Sequence, residues 1–429
     1  MTWARVAVLD TLTTTIGLWL CAAGVRTAGG EVAIRGTVPP DWPVGLTAPV
    51  AVPLPDAVDP AWNGMLELAV AGGEQRERLP AQVEPADPAT GTPARAWVLW
   101  TAPPDAAGRE IAIRPGSSGS SPSTQPAGIA RHEAPLVHVR SASGGLLLSY
   151  WHDEPTGDGK LPLTSFIHPL TGLDGEVLTV VSPEDHPHHR GIFWAWVRHE
   201  LEGRPIGNWW IPEQTRLEPG PLELVPAGPV FTGFKARHTW IWQASPAAPA
   251  KRIIEETLVC RVFADLPAGR AIDLDLTLAA LCDGVRIGGQ TALNKGYGGM
   301  TFRFGQARDI RIVADGRELQ ADQNRLKAHW VDWTGVFDAP GGGALPGRSG
   351  AALMVHSSHP PLPAEPPEWI TRFYGPINPA YPGLAMLEIP PDKPLHLRYR
   401  VWVHRGDAHQ GQVARQHRAY VADWKWVLP

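Results

Sequence analysis

Proline and glycine punctuate this chain so often that long helices have no room between them: 45 of each occur in 429 residues. Proline removes a backbone donor and clashes with the preceding helical turn, and glycine costs extra conformational entropy when held in a helix. Between these breakers lie short apolar runs rich in Val, Ile, Leu and Trp, the pattern of many strands joined by turns. The expected fold class is therefore all-β. The length exceeds what one core usually organises, so two domains are the starting expectation.

RPGSSGSSPSTQPAG, Arg114 to Gly128, is poor in apolar residues and dense in Gly, Ser and Pro, the composition of a linker. It separates a small β-sandwich accessory domain over 30–114 from a main domain over 129–429, with the linker at 115–128. The first segment carries strand patterns at Glu31–Arg35, Met65–Val70, Ala96–Trp100 and Glu110–Ile113, almost no histidine and no carboxylate cluster. The main segment carries many more, among them Leu136–Ser141, Leu146–Trp151, Val177–Val181, Ile192–Val197, Phe234–Trp242, Ile253–Phe263, Ile272–Leu281 and Leu395–His404. So many strands predict a large antiparallel two-sheet sandwich with its site on a concave face or at the rim. Only QGQVARQHRAYVADWKW, near the C-terminus, has the pattern of a helix.

A formal charge of −5 without a basic run gives no electrostatic footprint for nucleic acid. At the N-terminus, Arg5 precedes an apolar run that ends in small residues around Cys21–Gly24, which reads as a signal peptide over 1–24 and an exported, periplasmic or extracellular protein. Asp10 interrupts that run. No later segment approaches the ~18–20 apolar residues of a membrane helix, so no membrane association is expected after signal removal. Cys260 and Cys282 would then remain, either paired across neighbouring strands or as free thiols. No C-x-x-C occurs, so a zinc knuckle is not expected. The 19 tryptophans suit a wide β core, and a few of them would suit stacking against the C–H face of a sugar.

Titratable chemistry is concentrated in EDHPHHRGIFWAWVRHE, Glu184 to Glu200. In an extended chain His186 and His188 share one face with Pro187 turned away, close enough to chelate one cation, while His189 and Arg190 face elsewhere unless a turn rotates them. The cupin metal motif starts with the same pair but needs a Glu four or five residues on, where Ile192 and Phe193 stand. A third ligand would have to come from His168, Glu255, Glu256, His356 or His359. Three imidazoles can equally brace a turn by hydrogen bonding, yet Gly and Asn would do that at lower desolvation cost. Arg190 either pairs with Asp185 or offers a planar fork to a substrate carboxylate or vicinal oxygens.

Two further stretches carry candidate binding groups. LNKGYGGMTFRF places Lys295, Tyr297 and Arg303 around a glycine-rich bend, without the order or the following helix of a phosphate loop. EWITRFYGPINPAYPG sets Arg372, Tyr374 and Asn378 among prolines, either as a rigid loop over a ligand or as a packed crossover.

FIHPL at Phe166–Leu170, DHPHHRGIFWAW, KGYGGMTFRF and RFYGPINPAYP together resemble the PmoA-like family of bacterial proteins, over roughly Leu136 to His404. That family has no established reaction, so the resemblance implies little about activity. Its label suggests a methane oxygenase subunit, a bundle of membrane helices, which a chain with at most one candidate span argues against. The sandwich is also similar to the galactose-mutarotase-like supersandwich, where His and carboxylate side chains on a concave sheet act on sugars, an analogy at the level of fold alone.

The first functional reading is an exported carbohydrate-active enzyme acting on a sugar or glycoside, without a cofactor. His186, His188 or His189 serve as acid or base, Glu256 or Asp185 sets the imidazole tautomer, and His168, Arg190, Lys295, Tyr297, Arg303, Arg372 and Tyr374 hold substrate. The second is a metal-dependent oxygenase or hydrolase that binds a divalent transition metal through His186 and His188. The third is a non-catalytic glycan-binding protein using the same residues. For a site, the turn is expected to meet His168, Lys295, Tyr297 and Arg372 around one cleft.

Overall fold

The computed structural model describes residues 34–54, 63–72, 76–88, 90–115, 125–153, 163–212, 214–359 and 365–428. Residues 1–24, expected to be a signal peptide, and most of the expected linker lie outside them. The all-β sandwich expected from the breaker pattern is what forms: nearly every element is an antiparallel strand, and two nine-stranded sheets face each other.

The first of these sheets runs from Gln323–Lys327 through Glu368–Thr371, Pro376–Pro379, Gly299–Arg303, Ile192–Ala195 and Phe166–Leu170 to Leu146–Trp151, Leu136–Ser141 and Gly128–Glu133. Its register decides which chemistry faces which way. Ile192 pairs with Ile167 on one side and Phe302 on the other, and Phe302 pairs with Ile377. Side chains alternate along a strand, so these aliphatic and aromatic residues share one face and Phe166, Phe193, Thr301 and Arg303 share the opposite one. Tyr150, opposite Ile167, stacks on Phe234 of the second sheet at 4.7 Å, which makes the face of Ile192 the inner one. Phe193, Thr301 and Arg303 therefore lie on the outer face.

The second sheet is built on the long strands Phe231–Trp242, Lys251–Phe263, Arg270–Ala280 and Leu395–Arg405. Even-numbered residues of Lys251–Phe263, Ile254 to Val262, turn inward with Glu256 among them, and Arg261 turns outward to the first segment. There it meets Glu84 and, at 2.7 Å, Asp275. Trp97 meets Phe263 edge-on at 5.2 Å across the same contact, and burying a ring of that size contributes roughly 1.5–3 kcal/mol.

The first segment forms a seven-stranded sheet completed from the far end of the chain: Lys425–Val427 pairs with Ile34–Thr37. The expected terminal helix is Val413–Val421, whose buried Val413, Gln416, His417 and Tyr420 follow helical spacing and press it onto this junction. Val177–Val181, read as a strand, makes isolated bridges only, because it threads between the histidine turn and Phe304. Cys260, buried, and Cys282, partly exposed, are both free thiols.

Candidate functional site

The segment from Pro183 to Arg190 is a pair of tight turns rather than a strand. The His186 amide donates to the Pro183 carbonyl at 3.1 Å and the His189 amide to the His186 carbonyl at 2.9 Å. Gly191 returns the chain to the sheet at φ 52°, where an added Cβ would lie 2.0 Å from the Ile167 carbonyl oxygen, so glycine is required. The extended H-x-H arrangement is corrected by this geometry. In a turn, residues three apart meet: His186 stacks on His189 at 4.6 Å and 12°, while His188 stands edge-on to both rings.

Long-range partners complete the cluster. Tyr374 stacks on His186 at 5.2 Å and 7°, extending the column to three rings. Arg303 reaches both carboxylate oxygens of Asp185, at 2.9 and 3.0 Å, donates to the Tyr374 carbonyl, and lies over the Tyr374 ring at 4.9 Å. Asp185 thus pairs with Arg303 rather than with Arg190. Its second oxygen stands 2.9 Å from His186 Nδ1. Burial pushes the Asp185 carboxyl up, but the His186 hydrogen bond and the Arg303 charge outweigh it and hold the group below its ordinary value. An ionised carboxylate can only accept, so Nδ1 carries a proton and Nε2 is the nitrogen left to give or take one.

Trp210 closes one side, 6.0 Å from His189, 5.1 Å from Phe193 and 4.9 Å from Tyr297. Asn208 fixes it by accepting the Trp210 and Ile211 amides at 2.8 and 3.2 Å. The tandem tryptophans in GNWWIP were not singled out from sequence, although two such rings between Gly and Pro are a readable sign of an aromatic wall.

Electrostatics favour neutral imidazoles at His188 and His189. Burial, with His186 and Arg190 adding to it, lowers His188 to about 4; burial, reinforced by His188, His186 and the two arginines, lowers His189 to about 2. Arg190 is 4% exposed, and burial brings it down to about 10 against an opposing pull from Glu256, so it stays charged at neutral pH.

The remaining sequence candidates divide. Tyr297 joins through Trp210. His168 sits beside Gly191, its Nδ1 2.9 Å from the Thr179 hydroxyl, and burial lowers it to about 4. Lys295 lies just past the exposed turn Ala292–Asn294, and the neighbouring glycines serve close backbone packing, Gly296 against Gly289 and Gly383. Arg372 is committed to the Gln323 carbonyl and Asn324, each at 2.6 Å. Among the described residues, no hydrogen bond or ion pair joins Lys295 or Arg372 to the histidine turn.

Glu256 is not brought to the turn. It is wholly buried between the sheets, accepting from Ser165 at 2.6 Å and Trp240 at 2.8 Å. His356 and His359 are occupied by Ser358 and Tyr399. No group of three or more His, Cys, Asp or Glu among the described residues is placed to hold a metal ion. A hollow of about 320 Å³ lies elsewhere, between Leu173, Leu266 and Arg405, and none of the candidate residues lines it. The turn is singled out by its donors and rings rather than by an enclosed cavity.

Fold and site together define an all-β protein built on a two-sheet sandwich, with a histidine–aspartate–arginine cluster on the outer face of one of its nine-stranded sheets. By sequence, the chain belongs to a family of unknown function, DUF6807, which it matches over residues 138–418. That match overturns the resemblance to the PmoA-like family, which is not found. The curated proteins gave no match.

Proposed function

We propose that the outer-face cluster is the acid/base centre of a carbohydrate-active enzyme, with His186 as the proton-transferring group. The observation that carries this reading is the ordered chain Arg303–Asp185–His186. A guanidinium fixes a carboxylate, the carboxylate fixes the tautomer of an imidazole, and Nε2 is left as a base on a side chain 35% exposed. His188, half-buried and neutral, is the second acid/base group. Tyr374, 44% exposed, supplies an aromatic surface for the C–H side of a sugar ring, with Trp210 packed behind the cluster, and the polar groups beside Tyr374 suit the sugar hydroxyls. The supersandwich analogy points to the same substrate class at the level of fold, and export, read from residues 1–24, would put the enzyme in contact with extracellular glycans. The metal-dependent reading draws no comparable support, because no group of three or more His, Cys, Asp or Glu among the described residues is placed to hold a metal ion.

The test follows hydrogen exchange. Aldoses, uronates and glycosides are incubated with the protein in D₂O, and carbon-bound deuterium or altered product is read by NMR. Turnover of at least one substrate is expected, lost in His186→Gln with little change in melting temperature. Binding without turnover across the whole panel would favour the non-catalytic glycan-binding reading instead.

A further inference from the structure

Buried arginines in this fold follow one rule with one exception. Arg261 is bonded to Glu84 and Asp275, Arg270 to Asp265, Arg303 to Asp185, and Arg400 to both oxygens of Asp273 at 2.6 and 2.9 Å. Arg190 is as buried as these, at 4% exposed, and has no carboxylate hydrogen bond among the described residues. Its polar partner is the His188 carbonyl, reached by Nη1 at the long distance of 3.4 Å, and its Nε has none among the described residues. Glu256, whose charge it feels, is already taken by Ser165 and Trp240.

A guanidinium removed from water with so few acceptors is costly, and the ring of Phe193, 4.7 Å from its central carbon, compensates only in part. The location matters as much as the deficit. Phe193 is on the outer face, in contact with His189 and Trp210, so Arg190 forms the floor of the histidine cluster. His189 Nδ1 and Arg303 Nε are likewise buried there without partners. A hydroxyl would satisfy one donor and leave the charge. A planar pair of anionic oxygens satisfies both the charge and the fork.

We infer that the ligand of this site carries a carboxylate, bound by Arg190: the substrate class is an acidic sugar, a hexuronate or its glycoside. This deepens the carbohydrate reading and rests on it.

The full chain is titrated calorimetrically with glucuronate, galacturonate and mannuronate, with the matching neutral hexoses and with hexose 6-sulfates. At least one uronate is expected to bind tenfold or more tightly than its neutral counterpart, the order of effect a charge-assisted pair gives. That advantage is expected to disappear in Arg190→Gln and to shrink in Arg190→Lys, which keeps the charge and loses the fork. Should the Gln variant not fold, the Lys variant and the wild-type series still decide. Equal binding of neutral and acidic sugars would overturn the inference and leave the carbohydrate reading standing. Preference for the sulfates, or undiminished uronate binding by Arg190→Lys, would overturn the carboxylate assignment. Absence of binding by every sugar would overturn both readings.

Discussion

Two His–carboxylate clusters lie on opposite faces of the same sheet, built from similar side chains and differing in how their polar atoms are answered. In the interior, Glu256 accepts from Ser165 and Trp240, Tyr150 joins Ser165 at 2.9 Å, and His238 donates through Nε2 to the His152 carbonyl at 3.0 Å. Glu256 is unexposed, and burial raises its pKa. On the outer face, Asp185 and His186 are partly open, and Arg190, His189 and Arg303 keep buried donors or acceptors without partners among the described residues. A satisfied network specifies the packing of two sheets; an unsatisfied one at a solvent-facing turn leaves valence for a ligand. Residue type alone does not separate the two, since both contain histidine and an acid.

The largest effect should come from breaking the interior. Glu256→Ala strands the Ser165 hydroxyl and the Trp240 N–H in a dry layer, and the loss in unfolding free energy in urea is expected to be about 3 kcal/mol. A loss under about 0.5 kcal/mol would mean that Glu256 is not a structural brace.

Acid should act on the interior next. Burial holds His238 at about 4, below its ordinary 6.5. Above pH 6.5 neither folded nor unfolded chain holds the extra proton and the penalty is nil. As pH falls from 6.5 towards 4, the unfolded chain takes up a proton that the folded one refuses, so stability drops by about 1.4 kcal/mol per pH unit and levels off below. Urea unfolding at pH 7 and pH 5 should show the drop, and His238→Gln should remove this residue's share of it, leaving the shares of the other buried histidines such as His152, His168 and His188. An unchanged slope would place the acid sensitivity elsewhere.

The smallest stability effect belongs to the outer face. His186→Gln should cost no more than about 0.5 kcal/mol, because the ring is partly exposed and its one hydrogen bond is to a carboxylate still held by Arg303.

Much of the fold was legible where side chains alternate. Leu136–Ser141 and Leu146–Trp151 are strands with the bounds read from sequence: LVHVRS alternates apolar and polar residues, and LLLSYW is a short, mostly apolar run that follows the turn glycines Gly144 and Gly145. Thr215–Leu224 was missed, since EPGP sits inside an exposed edge strand with little apolar signal. Phe166–Leu170 was quoted as a motif and not read as a strand, because Pro169 breaks the pattern.

At the candidate site, the density of histidines pointed to the turn, but the phase was misread. Period-two geometry paired His186 with His188, whereas the turn hydrogen bonds pair it with His189. The Arg303–Asp185 contact spans 118 positions, and it follows from the pairing of Gly299–Arg303 with Ile192–Ala195, which no local pattern encodes.

The contrast between the two clusters is tested most directly by carbethoxylation of histidines in the native full chain, read residue by residue by mass spectrometry, with and without the uronate panel. His186 and His188 should react and be protected by a bound uronate, while His238 stays unmodified throughout. Modification of His238 at the rate of His186, or reaction at the turn that no sugar slows, would contradict the division into an interior brace and an outer-face site.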